Sequence, residues 1–374
     1  MRLGFFTMPL HPVEREWRVT LQEDREAFVL ADQLGFHDAF VGEHLTDRAE
    51  NVTNSFQFLA SLIPVTKQIK LGTGTANLSQ SHPVLIAAHA AMFDHMSNGR
   101  LIFGISPGSL PADAEVLGTL DEDRNKMFVD AINVILETWT REPPYDIDIP
   151  GNRWKVSTAR MGKPELGYGR LHRPLQQPYP EIVGTVVAPF SKGVIEMGKR
   201  DFHPMSANFL LSKWVKTHWP NYEEGKKAVG AHASIDHWRV ARTVFVADDD
   251  KVAERYGKTD SKSPYRHYYG TIRTKFAWAK RLAVFKDTPD QPDESVTDES
   301  VTNKLVIAGT VNRVVDDILA LREEVGDFGE LVYAGLDWVD AGLAKRSMQL
   351  MAEEVMPRVN AAIKSTARKH ASVA

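Results

Sequence analysis

Short apolar runs alternate along the first third of the chain with longer stretches whose apolar positions recur at helical spacing. Leu3–Thr7, His37–Val41, Ile69–Gly74 and Leu101–Ile105 read as strands. Leu21–Leu34, Phe56–Thr66, Leu85–Met96 and Arg124–Trp139 read as helices. In the first helix Phe28, Val29, Ala31 and Leu34 share a face, and Gly35 stands where a glycine ends a last turn. Strand and helix alternating in this way predict a parallel sheet with right-handed crossovers. The rhythm breaks over 142–180, rich in Pro and Gly, and resumes with strands at Glu181–Thr185, Pro204–Asn208, Val240–Ala247 and Leu331–Leu336. Helices are predicted at Val194–Arg200 and Leu343–Val359, and a frayed tail beyond. Residues 248–304 hold helix-like segments and a polar, acid-rich stretch, Thr288–Asn303, read as mobile. The count is about eight β/α units with no solenoid repeat.

Composition narrows the class. At 374 residues, 43% hydrophobic and 25% charged, the chain resembles an ordinary globular protein. A net charge of -4 without a Lys/Arg stripe argues against nucleic acid as a partner. With no cysteine, disulfides, thiolate nucleophiles and Cys-ligated metals are excluded. The start MRLGFFTM lacks the zones of a signal peptide, and no apolar run is long enough to span a bilayer. The expectation is a cytoplasmic protein without a membrane partner.

In parallel α/β folds, ligands bind at the carboxyl ends of the strands. Four such ends carry candidate chemistry. Val41-Gly42-Glu43-His44 places an acid and a histidine at one rim position; histidine suits proton transfer near neutrality, and a hydrogen-bonded structural histidine suits the place equally. In Thr73-Gly74-Thr75-Ala76-Asn77, small residues let a flat ring approach the backbone, and Asn77 offers donor and acceptor. Gly104-Ile105-Ser106-Pro107-Gly108-Ser109 reads as a phosphate or ring cradle, or as plain turn chemistry; it is neither a Walker loop nor GxGxxG. In Ala188-Pro189-Phe190-Ser191-Lys192-Gly193, Ser191 reads as an N-cap, and the helix start with Lys192 suits a phosphate or is simply a capped helix. His82-Pro83 reads as the start of the third helix. His95, His203, His218, His232, His237 and His267 show no metal spacing, and no metal is expected. Trp214, Trp219, Trp238 and Trp278 read as core or pocket lining.

Together, Gly35-Phe36, Val41-Gly42-Glu43-His44, Leu71-Gly72-Thr73-Gly74-Thr75, His82-Pro83, Asp94-His95-Met96-Ser97-Asn98-Gly99-Arg100 and Phe103-Gly104-Ile105-Ser106-Pro107-Gly108 resemble, in order and spacing, the bacterial-luciferase-like flavin-dependent monooxygenases. Ser206-Ala207-Asn208-Phe209, Pro143-Pro144-Tyr145 and Trp238-Arg239-Val240 resemble the limonene- and diketocamphane-monooxygenase group within it. The resemblance implies a single domain over 1–374, a (β/α)8 TIM barrel whose insertions at about 142–180 and 248–304 act as lids at the C-terminal rim. It implies reduced FMN (FMNH2) as cofactor, supplied by a separate NAD(P)H:flavin reductase. O2 as co-substrate would deliver one oxygen atom to a small apolar or cyclic organic substrate through a C4a-peroxyflavin. The family's rim histidine falls on His44, beside Glu43. A non-proline cis peptide under the ring falls at Gly74-Thr75. Cofactor contacts fall on Gly74, Thr75, Asn77, Ser106 and Thr185, and the phosphate on Ser191, Lys192 and Gly193. A homodimer through Phe56–Thr66 and Leu85–Met96 is also implied.

Three positions depart from the family pattern. Leu45 stands where a second histidine is common, Ser106 where luciferases carry a thiol, and Pro107 where a phosphate-binding arginine is usual. Light emission is not expected, and more of the phosphate's binding falls to the loop at Ser191. Baeyer–Villiger attack on a cyclic ketone and hydroxylation, epoxidation or ring cleavage both stay open. So do two other readings: an F420-dependent oxidoreductase on the same barrel, and a non-catalytic flavin-binding protein.

Overall fold

The computed structural model describes residues 1–371. Among them, the principal strands are β1 (Arg2–Thr7), β2 (Asp38–Val41), β3 (Lys70–Thr73), β4 (Leu101–Ser106), β5 (Ile182–Val186), β6 (His203–Ser206), β7 (Arg239–Val246) and β8 (Glu330–Gly335). Neighbours run β7-β8-β1-β2-β3-β4-β5-β6, and β6 pairs β7 in turn. That is the eight-stranded parallel order of a TIM barrel. The chain clusters into two compact units: residues 1–39, 48–51 and 185–374, and residues 40–47 and 52–184.

In the first unit, register builds a buried charge layer. Arg2, Glu330 and Arg239 are direct neighbours across β1, β8 and β7, so their side chains project the same way. Arg239 donates to Asp38 through Nη2 at 3.0 Å and Nε at 3.2 Å. Arg2 Nε lies 2.9 Å from Glu330. Asp38, Arg239 and Glu330 are fully buried. A Cβ on Gly4 would lie 2.4 Å from Glu330 Oε1 and 2.5 Å from Asp38 Oδ1, so this glycine makes room for the two carboxylates. Burial and the neighbouring Asp38 push Glu330 well above the usual carboxylate range.

At the other end of these strands, His11 bridges two acids. Its Nε2 lies 3.2 Å from Asp24 Oδ2, and its Nδ1 bonds Asp337, which also takes Arg15. Burial alone would lower this histidine, but the bonds to Asp24 and Asp337 outweigh it and raise His11 to about 9. The long helix Pro264–Trp278 is pinned by buried polar contacts: Asn208 Nδ2 donates to Thr243 Oγ1 and to Tyr268 Oη, each at 3.1 Å.

In the second unit, β3, β4 and β5 are in parallel register, with Leu71 beside Leu101 and Phe103 beside Ile182. A Cβ on Gly104 would lie 1.8 Å from the Thr73 carbonyl oxygen, so only glycine permits this approach. The helix Pro83–Met96 begins as predicted at His82-Pro83, where His82 Nδ1 accepts from Val84 N–H at 3.3 Å.

Several predicted elements differ. Phe56–Thr66 is not one helix but Ser55–Ala60 followed by a short turn Ile63–Val65, because Pro64 interrupts the ladder. Within Thr288–Asn303, read as mobile, Asp298–Leu305 begins as a helix on a capping box between Thr297 and Ser300. The strand Val306–Gly309 and the helix Val311–Val325 went unread. The closing helix is Ala341–Leu350, a widened turn Met351–Val355, and Met356–Ala371, so the tail read as frayed is helical to Ala371; residues 372–374 lie outside the described residues. Trp238 is buried as expected, whereas Trp278 is 78% exposed and belongs to no core.

Candidate active site

Where β2 ends in the second unit, two adjacent side chains take different roles. Glu43 accepts from Ser55 N–H at 2.8 Å, Ser55 Oγ–H at 2.6 Å and Asn77 N–H at 3.1 Å. Burial pushes this carboxyl up against the opposing effect of those three donors. It thereby ties Ser55 and the next strand end at Asn77 to the end of β2. His44 turns to Asp113 instead, its Nδ1 3.0 Å from Asp113 Oδ2. Asp113 Oδ1 accepts from Thr46 N–H at 2.9 Å and Thr46 Oγ–H at 2.6 Å. Burial would raise Asp113, but the bonds from His44 and Thr46 win and hold it well below the usual carboxylate range. An ionised carboxylate accepts only, so Nδ1 carries the proton and Nε2 is the basic nitrogen of the neutral ring. Such a dyad can take a proton at Nε2 and return it.

The ends of β3 and β4 form a floor of small polar groups in the same unit. The Gly74-Thr75 peptide is cis, as the resemblance implied. Thr75 Oγ–H donates to Ser106 Oγ at 2.7 Å, and Ser106 Oγ–H donates to Asn77 Oδ1 at 2.9 Å. Asn77 Nδ2 donates to the Glu43 carbonyl at 3.2 Å. The structure thus brings Glu43, Thr75, Asn77 and Ser106 into one hydrogen-bonded set. Ser106 and Pro107 also shape the turn: Gly108 N–H donates to Ser106 Oγ, and Ser79 Oγ–H donates to the Pro107 carbonyl.

The other predicted residues belong to the first unit. Thr185 is half-buried near the end of β5. Ser191 is not the N-cap: the helix is Gly193–Arg200, Lys192 holds the cap position, and no side chain caps it. The Ser191 carbonyl, rather than its hydroxyl, closes the first turn by accepting from Val194 N–H at 3.2 Å. Ser191 is half-exposed, and Lys192 and Gly193 are exposed. First-turn N–H groups have no intrahelical partner, so these three residues present a positive helix end and an ammonium to an anion. Taken separately, the small polar floor suits a flat ring and the cationic helix start suits a phosphate.

Asp113, Thr46 and Ser55 escaped the sequence reading. The one signal for Asp113 was an acid in the first turn of a short helix, Pro111–Val116, directly after the glycine-rich mouth at Gly108.

A carboxylate-held histidine thus stands at the carboxyl end of β2 in an eight-stranded parallel barrel. The family model described as luciferase-like monooxygenase matches residues 1–327, and the chain belongs to that family. Among its relatives, 4-hydroxyprotoasukamycin monooxygenase of Streptomyces nodosus subsp. asukaensis is 28% identical over 390 residues, covering 99% of this chain and 95% of its own. Limonene 1,2-monooxygenase of Rhodococcus erythropolis is 27% identical over 361 residues, covering 96% and 86%. The oxygenating constituent of 3,6-diketocamphane monooxygenase from Pseudomonas putida, solved in complex with FMN, aligns with a TM-score of 0.85 at 24% identity over 96% of this chain and 98% of that one.

Proposed function

We propose that this protein is the oxygenase of a two-component monooxygenase that takes FMNH2 from a separate NAD(P)H:flavin reductase. In this reading it uses O2 to insert one oxygen atom into a small apolar or cyclic organic molecule, the second oxygen leaving as water. The observation that carries the proposal is the His44–Asp113–Thr46 arrangement, which sets one basic nitrogen at the rim of a barrel of this family. The names of the relatives, monooxygenases of limonene and a diketocamphane, support a cyclic apolar substrate. An oxygenating constituent among the structural neighbours supports a separate reductase. A pool of NAD(P)H for that reductase fits a cytoplasmic setting.

When bound, reduced FMN supplies the electrons that activate O2. The chain's residues do the rest. Gly74, Thr75, Asn77 and Ser106 hold the ring, with Glu43 fixing Asn77 from behind. Thr185 adds a hydroxyl, and Ser191, Lys192 and Gly193 take the phosphate. His44 holds or returns the proton at Nε2, while Asp113 keeps Nδ1 protonated. The insertions 142–180 and 248–304 exclude water, each over its own part of the rim. A homodimer would cover the helix Pro83–Met96, on which Leu85, Met92 and Met96 are exposed.

The experiment supplies FMNH2 from a flavin reductase with NADH, adds a panel of cyclic ketones and terpenes, and follows oxygenated product by mass spectrometry with 18O2. One labelled oxygen per product is expected. Tight FMNH2 binding with only hydrogen peroxide released across the panel would count against the monooxygenase reading and for flavin storage.

A further inference from the structure

The loop proposed for the phosphate is not shaped by its own residues. Three side chains at the start of one helix, His218–Ala228, hold it. His218 Nε2 donates to the Ala188 carbonyl at 3.0 Å, Phe190 N–H donates to Thr217 Oγ1 at 2.9 Å, and Asn221 Nδ2 donates to the Ser191 carbonyl at 2.9 Å. The His218 ring is itself locked. Because Nε2 meets a carbonyl it bears the proton, and Nδ1 accepts from Ser206 Oγ–H at 2.8 Å. Ser206 Oγ accepts in turn from Trp238 Nε1–H at 3.0 Å. Burial pushes His218 down to about 4, so the ring stays neutral and this polarity does not reverse near neutral pH.

The contact with Ser191 has a directional consequence. In a trans peptide the C=O and the following N–H point in opposite directions. Asn221 and Val194 both draw the Ser191 carbonyl inward, so the Lys192 N–H is turned outward, at the helix start where an anion would sit. Phe190, between the held groups, has φ 50°. A bulky residue adopts that left-handed backbone only where its surroundings fix it. Here the Thr217 bond and a ring contact with Trp214, 5.9 Å between centroids, do so.

The two helices involved also touch backbone to backbone. A Cβ on Gly198 would lie 2.5 Å from the Tyr222 carbonyl oxygen, and one on Gly225 would lie 2.1 Å from the Ile195 carbonyl oxygen. The helix Gly193–Arg200 is therefore seated against the helix that carries the three clamping side chains, and the loop joining it to β5 has little room to shift.

We infer that Thr217, His218 and Asn221 are positioning residues for flavin phosphate recognition: they hold the Ala188–Ser191 loop so that the Lys192 N–H and Ser191 face the anion. This rests on the phosphate reading for Ser191, Lys192 and Gly193 given above.

The test compares the affinities of reduced FMN and reduced riboflavin, titrated anaerobically by tryptophan quenching. Their ratio isolates the phosphate's contribution. Thr217→Val and Asn221→Asp should each lower that ratio about three- to tenfold, the range of one lost hydrogen bond. Riboflavin affinity should change less than about twofold. Thr217→Ser keeps the hydroxyl and should keep the ratio. A lesion that merely loosened the fold would weaken both flavins alike, and that result would overturn the inference. If Ser191→Ala and Lys192→Ala lower the ratio while Thr217→Val and Asn221→Asp leave it unchanged, the clamp is refuted and the phosphate site stands. If Ser191→Ala and Lys192→Ala leave the ratio unchanged, the phosphate reading itself fails and takes the clamp with it.

Discussion

Replacing Asp113 by Asn tests the dyad without changing its shape. In the native protein Asp113 Oδ1 faces two donors from Thr46, at 2.9 and 2.6 Å, and Oδ2 faces His44 Nδ1 at 3.0 Å. An asparagine has one oxygen for these two sides. If that oxygen stays with Thr46, the new NH2 faces Nδ1, which must then accept, and the ring proton moves to Nε2. If the amide turns over, its NH2, at the buried position 113, meets the donors of the exposed Thr46 and is left unmatched. Leaving buried donors unmatched costs roughly 1–3 kcal/mol. The first orientation should therefore dominate by roughly 5- to 150-fold. Only the minor fraction keeps a basic Nε2, so turnover should fall by that same factor, while His44→Ala loses about 10²–10⁴-fold. Substrate-dependent oxygen consumption with a flavin reductase present gives the rate, and long-range 15N–1H spectra of the histidine ring report the tautomer directly. A folded Asp113→Asn protein that keeps its proton on Nδ1, or that turns over like the native enzyme, would refute the reasoning.

Further outcomes follow from other parts of the fold. His11 rises from 6.5 to about 9 in the folded state; a raised histidine stabilises fully below 6.5, and that contribution, at most ~3 kcal/mol, is lost as pH climbs through about 9. Urea midpoints at pH 6 and pH 10 should therefore differ more for the native protein than for His11→Leu, and equal differences would count against the bridge. Gly104→Ala sets a methyl 1.8 Å from the Thr73 carbonyl oxygen and should cost about 3 kcal/mol, read as a lower urea midpoint; an unchanged midpoint would show that β3 and β4 can part there. Met92→Asp charges the exposed face of Pro83–Met96, where Met92 is 60% exposed, and should convert a dimer to a monomer in analytical ultracentrifugation; a native protein that is already monomeric would remove that interface.

The parts of this protein legible in its sequence are those encoded by short-range pattern. The strand end at Val41 is legible as it lies and those at Thr73 and Ser106 to within one residue, because apolar runs stop at small residues, and Gly35 marks a helix end by the conformation only glycine takes easily. What escaped depends on distance. Asp113 lies 69 residues from His44, and nothing local distinguishes it from any acid in a first helical turn. Arg239 lies 201 residues from Asp38, and its contact with Glu330 exists because register aligns the first residues of β7 and β8. Ser191 misled for the opposite reason: a serine before a helix is a good cap by type, but its carbonyl closes the turn and the loop's form is imposed by a helix some thirty residues on.

Glu43 and His44 show why residue type and position could not divide the labour between them. Both are polar, adjacent and at one strand end, and either could have been read as the proton carrier. Neighbouring residues leaving a strand project to opposite sides, so one of the pair meets the adjacent strand ends and the other meets the following loop. Glu43 reaches two backbone N–H groups and a hydroxyl, which tie Ser55 and Asn77 in place. Burial raises this carboxyl, but protonating either oxygen would weaken the contact made there with Ser55 or Asn77, so a change of charge loosens the floor. His44 meets one carboxylate on one nitrogen, and protonating its other nitrogen leaves that bond intact and stronger. In the proposed reading the acid therefore fixes the frame and the histidine moves the proton, an assignment argued from what each group would lose on changing charge.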